Sequence, residues 1–133
     1  MTLIDEFLAA ESFAVCGASS DRSKYGNIVF RALLDAGRKA VPINPKLESI
    51  EGHAAYRSLS LLPIVPDAVS IVTPPSVTRL VVTEAIALGV KRLWMQPGAE
   101  DDQASQLARD AGLSVIDDGS CILVALARQR QTG

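Results

Sequence analysis

The chain carries one histidine, two cysteines and no excess of positive charge, and each shortage removes a class of function. Thirteen Lys and Arg against fifteen Asp and Glu leave a net charge of −2 with 21% charged residues, where a nucleic-acid binder would show a basic stripe. Any anion site must therefore be local. The lone His53, beside Gly52, has no cysteine or carboxylate pair at ligand spacing, so it reads as a surface residue and not as part of a metal site. Two cysteines behind an acidic amino-terminal stretch, MTLIDEFLAA, predict a protein of the reducing cytoplasm with no disulfide framework. No apolar run approaches the roughly 20 residues that cross a bilayer, so no membrane partner is expected. There is no internal repeat, low-complexity tract or linker. One domain spanning 1–133 is the expectation, large enough for a single core and too short for a binding domain plus a separate catalytic one.

What is present is an alternation of short apolar runs with longer helical patterns. Segments 13–17, 39–43, 67–73, 91–95 and 113–116 read as five strands. Segments 26–36, 77–88 and 101–111 read as helices, with apolar residues at helical spacing: Ile28, Leu33, Leu34; Val77, Leu80, Val81, Ile86; Leu107, Ala108, Ala111. Gly37, Gly89 and Gly112 close these helices just before the next strand, where a left-handed cap belongs. Strands apolar throughout imply a parallel sheet covered on both faces, hence a Rossmann-like, doubly wound α/β fold in three layers. Terminal helices are expected over 3–10 and 119–130. The 44–66 crossover, with Pro45, Gly52, Pro63 and Pro66, is not expected to hold a long helix.

Ligands of such sheets bind outside the carboxyl ends of the strands, near the point where strand order reverses. The segments in that position are GASSDRSKYG (17–26), NPK (44–46), TPPS (73–76), QPGAE (96–100) and DDGSC (117–121). In the first, an apolar strand stops at Gly17 and small, polar and cationic residues lead into a helix whose terminal N–H groups suit an anion. That pattern predicts a phosphate cradle and a nucleotide-like ligand. It departs from the dinucleotide fingerprint G-x-G-x-x-G, since Ser19 and Arg22 stand at the second and third glycine positions. The second strand ends in Asn44 and Lys46, not in the acid that would hold a ribose diol, so a phosphate is favoured there too. Arg22 and Lys24 add cations suited to a ligand with several phosphates.

The runs GASSDRSKYGNIVFRALLDAG, VPINPK, VTPPS and EAIALGVKRLWMQPG, in that order, resemble the small stand-alone coenzyme A-binding proteins, whose fold is similar to the CoA-binding domain of the succinyl-CoA synthetase α subunit. The likeness covers roughly residues 12–125. It implies coenzyme A, or an acyl-CoA, as the ligand. The backbone of Gly17, Ala18, Ser19 and Ser20, with Arg22 and Lys24, would then meet the pyrophosphate or the ribose 3′-phosphate. Tyr25 and Gly26 would begin the helix, Gly26 allowing its end to approach the ligand. Asn44, Pro45 and Lys46 with Thr73, Pro74 and Pro75 would flank the adenosine, and Gln96, Pro97 and Gly98 would lie toward the pantetheine arm. The chain departs from the family at DDGSC, where a basic residue is usual, and Cys121 stands near the family's cysteine.

Structural readings stand beside these. Arg22, Lys24 and Lys46 could be solvated surface cations, and Cys16 a small core residue. Cys121 is the better placed of the two thiols for a mixed disulfide with CoA. Trp94 reads as core or pocket wall, and Asp117 with Asp118 as a solvated loop or a cap for the last helix. With no nucleophile–base pair beside the site, a non-catalytic CoA-binding module with a regulatory or carrier role is the leading expectation. The alternatives are a minimal NAD(P)-dependent oxidoreductase and a nucleotide-responsive module that docks a protein partner through its last helix or an exposed apolar patch.

Overall fold

A computed structural model describes residues 1–132. Five strands, β1 (Phe13–Cys16), β2 (Ala40–Ile43), β5 (Ala68–Ile71), β6 (Arg92–Met95) and β7 (Ser114–Ile116), form one parallel sheet in the order β2-β1-β5-β6-β7. The strand order reverses between β1 and β5, so the Gly17 and Thr73 segments flank the switch point. Each strand is trimmed at its ends relative to the sequence reading, because Gly17, Lys39, Asp67, Val72, Thr73, Lys91 and Leu113 already belong to the turns.

Five helices pack around the sheet: α1 (Leu3–Leu8), α2 (Tyr25–Asp35), α3 (Pro75–Leu88), α4 (Asp102–Asp110) and α5 (Ile122–Thr132). Alternation along the strands divides the core in two. Phe13, Val15 and Trp94 face α1, α2 and α5, joining Phe7, Phe30, Leu33, Ile122 and Leu126. Ala14, Cys16, Val69, Ile71, Leu93 and Met95 face α3 and α4, joining Val82, Ala85, Ala104 and Ala108. Fully buried, Trp94 meets the Phe7 ring edge-on at 5.2 Å and donates its indole N–H to the Ser120 carbonyl at 2.9 Å, so it is core. Past α2, α3 and α4, respectively, Gly37, Gly89 and Gly112 all have φ between 76° and 85°.

Three expectations need correction. Proline has no N–H to lose at a first helical position, so α3 starts at Pro75, two residues before the predicted 77. Val77 and Leu80 are exposed, the sheet-facing stripe of α3 being Thr78, Val82 and Ala85. The last helix starts at Ile122 and not at 119; Asp118 instead closes a turn onto the Ser120 N–H, and Asp117 pairs with Arg109 at 2.8 Å.

The 44–66 crossover holds a two-residue hairpin, β3 (Ser49–Ile50) with β4 (His53–Ala54), and a single 3-10 turn at Leu59–Leu61. His53 is exposed, its ring edge-on to Phe30 at 5.6 Å.

Candidate functional site

The loop leaving β1 is shaped by two backbone contacts that admit no side chain. Gly17, at φ +91°, lies where a Cβ would sit 2.0 Å from the Val72 carbonyl oxygen at the end of β5. Gly26, in the first turn of α2, lies where a Cβ would sit 2.0 Å from the Gly17 carbonyl oxygen. The three segments thus stack backbone on backbone at the switch point. Gly26 is buried in that stack, and the close approach it permits there is of α2 to the Gly17 backbone.

Two asparagines then hold the loop's carbonyls. Asn44 Nδ2 donates to the Ala18 carbonyl and Asn27 Nδ2 to the Ser19 carbonyl, both at 2.8 Å. Among the described residues no acceptor meets the Ala18, Ser19 or Ser20 N–H. The loop therefore turns its acceptors inward and leaves its donors free, the arrangement of an anion-binding nest. Lys24 occupies the N-cap of α2 with extended backbone and no side-chain cap; its own N–H and that of Asn27 donate to the Asp21 and Lys24 carbonyls, while the Tyr25 and Gly26 N–H groups meet no acceptor among the described residues. The Ala18 side chain is buried in the core, and its contribution to the loop is backbone only.

The cations differ in freedom. Arg22 pairs with Glu51 at 3.3 Å, its side chain 67% exposed, so it reaches the site only by leaving that partner. Glu51 also accepts from Asn27 at 3.0 Å; that bond first, then the charges of Arg22 and Arg31, hold its carboxyl below the usual range. Lys24 is exposed beside Asp21, whose carboxyl is held low chiefly by hydrogen bonds from Ser23 and further by the Lys24 charge. Lys46 is exposed and its backbone N–H donates to Asn44 Oδ1 at 2.8 Å, so Asn44 clamps the NPK turn and the first loop together.

Between the ends of β1 and β2 and the flank of α3 opens a cleft of about 280 Å³. Ile43, Pro45, Val77, Leu80 and Val81 make it apolar, Gly17 and Thr73 close one side, and Arg57 and Glu84 are its charged residues. The exposed Val77 and Leu80 are therefore cleft wall. Thr73 Oγ1 lies 2.8 Å from Thr78 Oγ1, which donates to the Ala99 carbonyl at 2.8 Å and so ties the TPPS turn to the loop after β6. Cys16 borders the cleft as a buried thiol, its pKa pushed up by burial and by the nearby Glu84 charge. A wider groove of about 490 Å³ lies at the amino edge of the sheet, where Glu6, Glu11 and Asp67 outnumber Arg92 and would repel phosphate.

Gln96 departs from its predicted place. Its side chain is fully buried, donating to Ser70 Oγ at 3.2 Å and accepting from the Ile122 N–H at 3.0 Å and the Tyr25 hydroxyl at 3.3 Å. It pins α2 and α5 to the sheet, and only Pro97 and Gly98 of that turn are exposed. The Tyr25 oxygen also lies 2.6 Å from Cys121 Sγ; burial first, then this contact, push the phenol's pKa up. Asn27, Arg57 and Glu51 were absent from the sequence reading. Asn27 lies one residue past the GASSDRSKYG run, within a helical pattern that gave no sign of a side chain turned back to the loop.

Residues 11–127 match a family model described as a CoA binding domain. Among solved structures, a hypothetical protein from Pyrococcus horikoshii OT3 superposes with a TM-score of 0.90 at 31% identity, covering 100% of this chain and 94% of that one. The α subunit of the ADP-forming acetate–CoA ligase II of Pyrococcus furiosus is 34% identical over 90 residues, 67% of this chain and 20% of that subunit. This chain thus spans about a fifth of the ligase subunit's length. The uncharacterized protein YneT of Bacillus subtilis is 29% identical over 118 residues, 89% of this chain and 87% of that protein.

Proposed function

The chain belongs to the CoA-binding domain family, and on that premise we propose that it holds coenzyme A, or an acyl-CoA, across the carboxyl edge of its sheet as a non-catalytic module of the cytoplasm with a regulatory or carrier role. The observation that carries this reading is the pairing of a donor-rich loop with an adjoining apolar cleft. The Ala18, Ser19 and Ser20 N–H groups, with those of Tyr25 and Gly26 at the start of α2, are the donors offered to a pyrophosphate, with Lys24 beside them. The cleft walled by Ile43, Pro45, Val77 and Leu80 is wide enough for a flat heterocycle, with Thr73 among its lining residues and the exposed Lys46 following Pro45 in the chain. Pro97 and Gly98 lie on the path of the pantetheine arm. The 133 residues act as one domain, and the coenzyme's thiol leaves the site toward whatever acyl donor or protein the module serves.

The side chains nearest the cleft support binding over chemistry. Burial and the Glu84 charge disfavour the Cys16 thiolate, and Glu84 itself is engaged by the Leu59 N–H and the Ser60 hydroxyl, both at 2.9 Å. Native mass spectrometry of the purified protein, mixed in turn with CoA, acetyl-CoA, NAD and NADPH, tests the reading. A one-to-one CoA adduct, weakened roughly tenfold by Lys24→Ala or Lys46→Ala, is expected. Selective NADPH binding would replace it with the oxidoreductase alternative.

A further inference from the structure

We infer that Arg57 is the residue that recognises the ribose 3′-phosphate, making the site selective for coenzyme A over its 3′-dephospho form; this rests on the reading of the cleft as the adenosine site. Arg57 is the one cation among the residues lining that cleft. Its place is fixed by backbone and not by its own side chain. Tyr56 pairs alongside the end of β2, donating its N–H to the Pro42 carbonyl at 3.1 Å and accepting from the Asn44 N–H at 2.9 Å. Arg57 therefore leaves the chain at the level of Asn44 and Pro45, at the mouth of the cleft.

Its guanidinium is also available. The three ion pairs among the described residues involve Arg22, Arg79 and Arg109. Glu84, the only carboxylate of the cleft, is in none of these pairs, and its two oxygens accept from the Leu59 N–H and the Ser60 hydroxyl. An exposed guanidinium at the rim of an apolar slot suits a flat base that carries a phosphate close to it. In coenzyme A the 5′-diphosphate leaves the ribose toward the Gly17 loop, and the 3′-phosphate projects from the same sugar. The loop's N–H groups account for the first anion; of the two cations near the second, Lys46 and Arg57, Arg57 is the one that lines the cleft and carries the forked donor. Two parallel N–H bonds from a guanidinium fit a phosphate better than the single point charge of lysine.

Calorimetric titration of the full chain with CoA and with dephospho-CoA tests this, using wild type, Arg57→Ala and Arg57→Lys. Wild type is expected to prefer CoA by about tenfold or more. Arg57→Ala loses most of that preference by weakening CoA alone, and Arg57→Lys keeps part of it. Equal affinity of wild type for the two ligands, or an Arg57→Ala change that weakens both alike or neither, overturns the inference while leaving CoA binding intact. Failure of wild type to bind either ligand overturns the CoA reading itself, and this inference with it.

Discussion

Replacing Gly26 by alanine should reverse the usual sign of a glycine-to-alanine change in a helix. Away from tertiary contacts, alanine stabilises a helix by about 0.5–1 kcal/mol relative to glycine. At Gly26 the new Cβ would sit 2.0 Å from the Gly17 carbonyl oxygen and 2.9 Å from its carbon, so something must move by about 1 Å. Gly17 cannot give way, because its own backbone is lodged against the Val72 carbonyl on the other side and its N–H is bonded to the Ile43 carbonyl at 3.2 Å. Overpacking of this kind costs roughly 1–3 kcal/mol, and a clash between backbones belongs at the upper end. Subtracting the helix gain leaves a net loss near 2 kcal/mol, or a fall in Tm of roughly 6–8 °C for a domain of this size. Differential scanning calorimetry reads it directly. The same displacement should spoil the donor loop, so CoA affinity should fall at least tenfold in the folded variant. Gly89→Ala serves as the control, since its φ of +83° is strained for alanine but nothing lies within 4 Å of the new carbon. It should cost about 1 kcal/mol and leave CoA affinity alone. A Gly26→Ala protein as stable as wild type, or more so, would refute the reasoning.

Asn44→Ala removes the bonds to the Ala18 carbonyl and the Lys46 N–H together, so it should weaken CoA about tenfold or more by titration while lowering stability by only about 1 kcal/mol in urea. Gln96→Leu keeps the volume but strands the buried Ile122 N–H and the Ser70 hydroxyl; a loss of roughly 1–3 kcal/mol for each group left unpaired is expected, with faster amide exchange in the first turn of α5. Asp117 is held below the usual carboxylate range by its hydrogen bonds to Arg109. Because the folded pKa is the lower one, its contribution is present above the ordinary carboxylate pKa and lost as pH falls through the folded value. Arg109→Gln should therefore be less stable than wild type at neutral pH by under about 1 kcal/mol, the pair being partly exposed, and the difference should vanish in strong acid. Chemical denaturation across that pH range measures it.

The fold was legible because its signals are local. Apolar runs ending in turns, and glycines at 37, 89 and 112 at the ends of helical patterns, identified every strand of the main sheet and every long helix, with bounds shifted by one to three residues. The small hairpin was not legible. Its strands are two residues each, and Glu51 takes a φ of +51° at a turn position where asparagine or glycine is usual. The Glu51 carboxylate reaches back to Asn27 and Arg22, a tertiary contact that no window of sequence contains.

The candidate site divides in the same way. That Gly17 and Gly26 were special was legible, though the partner of Gly26 was not, because strand separation along the chain says nothing of which backbones touch. Gln96 could have been placed correctly by continuing the strand alternation, since Trp94 and Gln96 share the face toward α1, α2 and α5. Arg57 gave no signal, since its position depends on Tyr56 pairing beside β2.

Calorimetric titration of the purified full chain with CoA, set against NADPH under the same conditions, bears most directly on the central claim. Saturable one-to-one binding of CoA, with NADPH far weaker, is the predicted result; no heat with CoA at millimolar concentration, or tighter binding of NADPH, would contradict it.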